Sequence, residues 1–124
     1  SLAPDGKHFI TTYSNLTTPP KSALMDTKGN IIRELADSKG LAYDSFKMPK
    51  TELSYYQTRD GLELPMTVIL PLNFDPAKKY PVVEDIYAGP HDHFVPKSYF
   101  PWSGKNAMAE LGFIVVSIDG GARR

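Results

Sequence analysis

Cysteine is absent from the 124 residues. That excludes a disulfide framework, a thiolate-ligated zinc site and a cysteine nucleophile. Neither sign of charge is in excess, with 14 Lys+Arg against 14 Asp+Glu. Binders of polyanions or membrane surfaces normally carry a basic surplus, so neither nucleic acid nor a membrane surface is an expected partner. The halves barely differ: residues 1–50 hold 7 basic and 5 acidic groups, and residues 51–124 hold 7 and 9. Long apolar runs are also missing. Residues 113–116 form a typical uninterrupted stretch of four, far below the roughly 20 needed to span a bilayer as a helix. The opening Ser1-Leu2-Ala3-Pro4-Asp5-Gly6 has no charged n-region and no apolar h-region, so it reads as no signal peptide.

What is present suits a folded chain. It is 41% hydrophobic and 23% charged, within the globular range, and its length allows about one domain. Proline is plentiful, 11 residues spread from Pro4 to Pro101, against an average usage of about 5%. Spread prolines beside turn dipeptides indicate many short strands with sharp ends.

Residues 1–36 read as a small antiparallel unit. Pro4-Asp5-Gly6-Lys7 is a turn signal. Strands are expected over 8–13, 22–26 and 31–35, with Thr27-Lys28-Gly29-Asn30 as a tight turn. Three short strands cannot bury a core alone, so the unit wants neighbours, as a β-propeller blade would. Residues 37–50 break the periodicity and read as a linker. A new unit covers 51–124. Strands over 53–58 and 62–70 flank Arg59-Asp60-Gly61, a hairpin turn of Asp-Gly type. In the second of these, Leu62, Leu64, Met66, Val68 and Leu70 alternate with Glu63, Pro65, Thr67 and Ile69, the pattern of a half-buried strand. Pro65 removes a donor, so the strand should meet an edge or bulge there.

The character then changes. A strand is expected over 80–87 and a short helix over 103–111. Ser103 serves as its N-cap, Ala107, Met108 and Leu111 form its apolar face, and Gly112 ends it. Residues 113–118 read as a strand buried on both faces. Strand, helix, strand with this spacing fits a parallel βαβ crossover.

The informative segment is Glu84-Asp85-Ile86-Tyr87-Ala88-Gly89-Pro90. Ligands of open α/β sheets bind at the carboxyl ends of strands. Gly89 and Ala88 allow close approach of a ligand to backbone. A tyrosine hydroxyl at such a strand end can donate to a developing oxyanion; the other reading of Tyr87 is a residue that caps a core strand. Asp85 shares a strand face with Tyr87; it either orients something in the site or, the favoured reading, forms a structural ion pair with an arginine. Asp119 stands at another strand end, where catalysis and turn formation with Gly120 are both open readings. His91-Asp92-His93 has two imidazoles and a carboxylate but no evident third ligand on the same side, so no metal site and no cofactor is expected. Phe94, Tyr99, Phe100 and Trp102 either line a pocket or pack the helix onto the sheet. Asn15-Leu16-Thr17 is a glycosylation sequon, meaningful only in a secreting eukaryote.

At these residues the chain resembles the prolyl oligopeptidase family of serine peptidases, and within it the dipeptidyl peptidase IV-type branch. Tyr87-Ala88-Gly89-Pro90 is similar to that branch's Tyr-Ala/Gly-Gly-Pro oxyanion motif. The acylaminoacyl-peptidase branch more often has His in place of Tyr87. The loop from Leu70-Pro71-Leu72-Asn73 to Tyr80-Pro81, the strand Phe113-Ile114-Val115-Val116-Ser117-Ile118-Asp119-Gly120, and Pro4-Asp5-Gly6-Lys7 with the segment from Pro19-Pro20 to Gly29 resemble the family in the expected order. The resemblance implies an α/β fold: the N-terminal part of an α/β-hydrolase sheet (residues 51–124), preceded by a partial last β-propeller blade (1–36) and a linker (37–50). It also implies a parent that cleaves peptides after Pro or Ala near the N-terminus. In that parent Tyr87 would act as oxyanion donor and the compartment would be periplasmic or extracellular; His91 and Trp102, by their place beside the motif, are read as contacts to a peptide substrate.

The departures are equally definite. No Gly-x-Ser-x-Gly elbow is present; Ser38 has Gly40 after it but Ala36 before it. The triad Asp and His, and the paired glutamates that hold the substrate amine, have no match. Gly120-Gly121-Ala122-Arg123-Arg124 replaces the family's usual Asp-Gly-Arg-Gly. The chain therefore reads as a fragment, inactive alone and prone to self-association through unpaired strand edges. The rival readings are a non-catalytic β-rich binding or assembly module, and a metal-binding domain built on His91, Asp92 and His93.

Overall fold

The structure is a computed structural model that describes residues 1–87, 95, 97–100 and 103–120, with Tyr87 described as backbone. Seven strands and one helix follow in the order β1 (His8–Tyr13), β2 (Lys21–Asp26), β3 (Ile31–Asp37), β4 (Lys50–Gln57), β5 (Glu63–Leu70), β6 (Val82–Tyr87), α1 (Gly104–Glu110) and β7 (Ile114–Asp119). They form a three-stranded sheet, β1-β2-β3, and a four-stranded sheet, β4-β5-β7-β6.

The first sheet is antiparallel throughout, with His8 opposite Asp26 and Lys21 opposite Asp37. The β2–β3 turn forms where Asp26 gathers the local donors. Its carboxylate accepts from the backbone N–H of Lys28 and of Asn30 and from the Asn30 side chain, each at 2.9 Å. Those hydrogen bonds, led by the one from the Asn30 side chain, hold the Asp26 carboxyl below its usual range. Gly29 takes φ 90°, which a side chain would resist. Burial here is thin: Ala23 is fully buried, whereas β3 is exposed along its whole length. The expected strands are thus present, and β3 runs two residues further than expected, to Asp37. Asp37 is held there by Lys21 at 2.9 Å. The segment between the sheets contains a single 3₁₀ turn at Tyr43–Ser45.

The second sheet is mixed. β4 and β5 form the hairpin about Asp60-Gly61, closed by a 2.8 Å hydrogen bond from the Thr58 N–H to the Leu62 carbonyl. β7 lies antiparallel to β5 and parallel to β6, with α1 in the crossover. The β5–β7 ladder ends at Met66 opposite Ile118, one residue short of Pro65. The missing donor therefore falls where pairing with β7 has stopped, as Pro65 requires.

Three packing expectations are corrected. The deeply buried face of β5 carries Thr67 and Ile69, not the Leu64, Met66, Val68 and Leu70 set, which is half-buried. The cause is α1, which covers the face holding Ile69 and Val115; these two make a core with Ala109, flanked by Phe113. β7 is deeply buried on one face only: Val115, Ser117 and Asp119 are buried, and Ile114, Val116 and Ile118 are half-buried. The helix buries Asn106 and Ala109, one turn apart, while Met108 is partly exposed and Leu111 is 78% exposed. A seven-residue helix meets the sheet along one narrow strip, and alanine at 109 lets the backbones approach. Ser103 caps the helix as expected, its Oγ accepting from the Asn106 N–H at 3.3 Å, and Gly112 leaves it at φ 100°. No helix among the described residues is long and apolar enough to cross a membrane.

Candidate functional site

β6 and β7 run in parallel and finish together, so their carboxyl ends define one rim. Tyr87, the last residue of β6, is the register partner of Asp119, the last residue of β7. Asp119 is 7% exposed, and its carbonyl accepts a 2.9 Å hydrogen bond from the Tyr56 hydroxyl on β4. Two residues below the rim, Asp85 pairs in register with Ser117. The Lys105 ammonium from the first turn of α1 lies 2.8 Å from Asp85 Oδ2 and donates to Ser117 Oγ at 2.9 Å. Ser117 itself is 1% exposed. The partner of Asp85 is therefore lysine, from the helix, where sequence reasoning looked for arginine. The usable signal was there: a crossover helix packs on the sheet face that the preceding strand presents, and Lys105 sits in its first turn.

Of the other candidates, His91 and Trp102, with Asp92, His93 and Phe94, lie outside the described residues, as do Ala88, Gly89 and Pro90. Among the described residues, no group of three His, Cys, Asp or Glu side chains is placed to hold a metal ion. Tyr99 and Phe100 face the segment between the sheets. They line a cleft of about 500 Å³ with Pro19, Pro20, Phe46 and Met48. A neighbouring cleft of about 470 Å³ reaches from Tyr99 and Phe100 to Thr67, Ile69 and Lys105. The Phe100 carbonyl also reaches the helix, accepting from Asn106 Nδ2 at 3.2 Å. The pocket-lining reading of these two aromatics thus fits better than packing of α1 onto the sheet.

The Tyr43 and Tyr99 hydroxyls share a 2.8 Å hydrogen bond across this cleft. Burial, assisted by that bond, pushes the Tyr99 phenol up to about 12. The folded chain therefore keeps a proton that the unfolded chain loses at the ordinary value of 10, and stability falls as pH rises between these values. The urea midpoint is expected to drop more between pH 9.5 and pH 11 in the wild type than in Tyr99→Phe. Equal drops would show that Tyr99 titrates like a free phenol.

The likeness of the chain to known proteins is specific. No family model matches the chain. Among curated proteins it is 39% identical over 110 residues to a Trichophyton verrucosum protein carrying the name dipeptidyl-aminopeptidase B, which covers 87% of this chain and 12% of that one. Among solved structures, the dipeptidyl peptidase 4 of Porphyromonas gingivalis superposes at a TM-score of 0.75 with 28% identity, over 94% of this chain and 17% of that one. A Bacteroides ovatus protein described as a dipeptidyl aminopeptidase IV superposes at 0.80 with 33% identity, over 96% and 17%. This chain is a relative of the dipeptidyl peptidase IV-type proteins. The dipeptidyl peptidase resemblance seen at Tyr87-Ala88-Gly89-Pro90 thus extends through nearly the whole chain. The chain spans about an eighth of the length of the fungal relative and about a sixth of the solved dipeptidyl peptidase chains.

Proposed function

We propose that this chain is the segment of a dipeptidyl peptidase in which the substrate-restricting propeller meets the catalytic domain. Residues 1–36 would be part of the last β-propeller blade, 37–50 the linker, and 51–124 the N-terminal portion of an α/β-hydrolase domain. The parent hydrolyses peptide bonds through a serine acyl-enzyme, after Pro or Ala near the substrate N-terminus. Tyr87 lends its hydroxyl to the tetrahedral oxyanion, and a backbone N–H beside the nucleophile supplies the second donor. His91 and Trp102 are assigned to peptide contact, and the parent to a periplasmic or extracellular setting. The segment alone, without a Gly-x-Ser-x-Gly sequence, turns over nothing and self-associates.

The observation that carries this reading is the place of Tyr87. It ends a strand parallel to its neighbour, at the carboxyl rim where α/β sheets bind ligands, and it begins a Tyr-Ala-Gly-Pro sequence in a chain similar to dipeptidyl peptidases. The test is direct. The full parent is expected to release p-nitroaniline from Ala-Pro-p-nitroanilide and to lose that activity with a serine-directed phosphonate, while the 124-residue chain releases none. A parent without turnover on Xaa-Pro or Xaa-Ala substrates would overturn the proposal and favour a non-catalytic module.

A further inference from the structure

We propose that Lys105 is a positioning residue of the oxyanion site: it holds and neutralises Asp85, so that no uncompensated carboxylate opposes the negative charge that builds beside Tyr87. The inference rests on the reading of Tyr87 given above.

Three observations support it. Asp85 and Tyr87 are two residues apart on β6, which at a strand rise of about 3.3 Å per residue separates their Cα atoms by about 7 Å. An ionised carboxylate that close disfavours any anion formed at the strand end. Next, the Lys105 ammonium is fixed at two points, 2.8 Å from Asp85 Oδ2 and 2.9 Å from Ser117 Oγ. Ser117 is buried in the central strand directly across from Asp85, so its hydroxyl sets the ammonium over the carboxylate rather than leaving it to wander in solvent. Third, Lys105 follows Ser103, the N-cap at which the β6–β7 crossover becomes helix. The positive charge thus arrives on the element that leads back from Tyr87 to the sheet. The Lys105 and Asp85 side chains retain 27% and 41% exposure, and a pair that wet adds little to stability. Its contribution here is to the local field.

The test uses the full parent and a Xaa-Pro chromogenic substrate. Lys105→Met leaves Asp85 unneutralised and is expected to lower kcat about two- to fivefold, the size of a like-charge interaction at roughly 10 Å in a partly wet site. KM should stay within about twofold, because the opposed charge exists only in the transition state. The deficit should shrink in high salt. Adding Asp85→Asn to Lys105→Met removes the offending charge and should restore most of kcat, and Lys105→Arg should retain it. An unchanged kcat in Lys105→Met overturns the proposal. A double variant as slow as the single one also overturns it, since that marks a purely structural contact. If the unmodified parent shows no turnover, the functional reading itself has failed and this inference falls with it. If the parent is active and only the rescue fails, the functional reading stands and Lys105 loses its role.

Discussion

Replacing Tyr87 by phenylalanine in the parent protein is expected to lower kcat by about 10²–10³ while KM changes little, the effect of deleting one oxyanion donor, roughly 3–4 kcal/mol of barrier. The substitution keeps the ring and removes one oxygen, so strand packing at the rim is preserved. The ground-state carbonyl is a weaker acceptor than the oxyanion, which is why the loss falls on turnover and not on binding. The oxyanion assignment makes a second demand. Inhibitors that mimic the tetrahedral intermediate should lose affinity in parallel with kcat, whereas product-like peptides should bind as before. A Tyr87→Phe parent with full kcat would remove the phenol from the chemistry and leave Tyr87 as a residue that finishes a strand.

The second large effect concerns the core. Ile69 is 6% exposed and packs with Ala109, Val115 and Phe113, so it joins the hairpin strand, the central strand and the helix at one point. Ile69→Ala should cost roughly 2–5 kcal/mol, because the helix is tethered at both ends and cannot sink to fill the cavity. A domain of ordinary stability has about 5–15 kcal/mol in total. The urea midpoint of the 124-residue chain is therefore expected to fall by more than about 1 M, taking a slope of about 1–2 kcal/mol/M for a protein of this size. Val68→Ala, one residue away on the half-buried face, is the control and should move the midpoint far less. If the two variants behave alike, the helix does not cover the Ile69 face.

Much of this was legible from residues because it is local. Asp60-Gly61, Lys28-Gly29, the Ser103 cap and Gly112 fix where the chain turns, and each turn determines the neighbouring strand ends to within a residue or two. The face of β5 that is buried was not legible. Alternation gives a period of two but not its sign when both sets hold apolar residues, and the sign is set by α1, forty residues on. Nor does sequence order reveal that β7 enters between β5 and β6, since that depends on pairing between distant segments. The resemblance centred on Tyr87 succeeded for a different reason. A Tyr-Ala-Gly-Pro strand end is short but sits between other segments in the family's order, and the relatives cover most of the chain. The lysine that answers Asp85 was missed because the pair is set by where the crossover helix docks, although the place of Lys105 in the first turn of that helix was a usable cue.

The strand order β4-β5-β7-β6 has a further consequence for how the sheet comes into being. β7 follows both in sequence yet occupies an inner position, so the hairpin and β6 share no ladder until β7 arrives between them. On the ribosome the earlier strands must wait, with β6 bereft of the parallel partner that satisfies its backbone. A nascent chain stalled before Ile114 would have a hairpin and a loose extended segment but no joined sheet. Joining of the hairpin to β6 should therefore await the emergence of the six residues of β7.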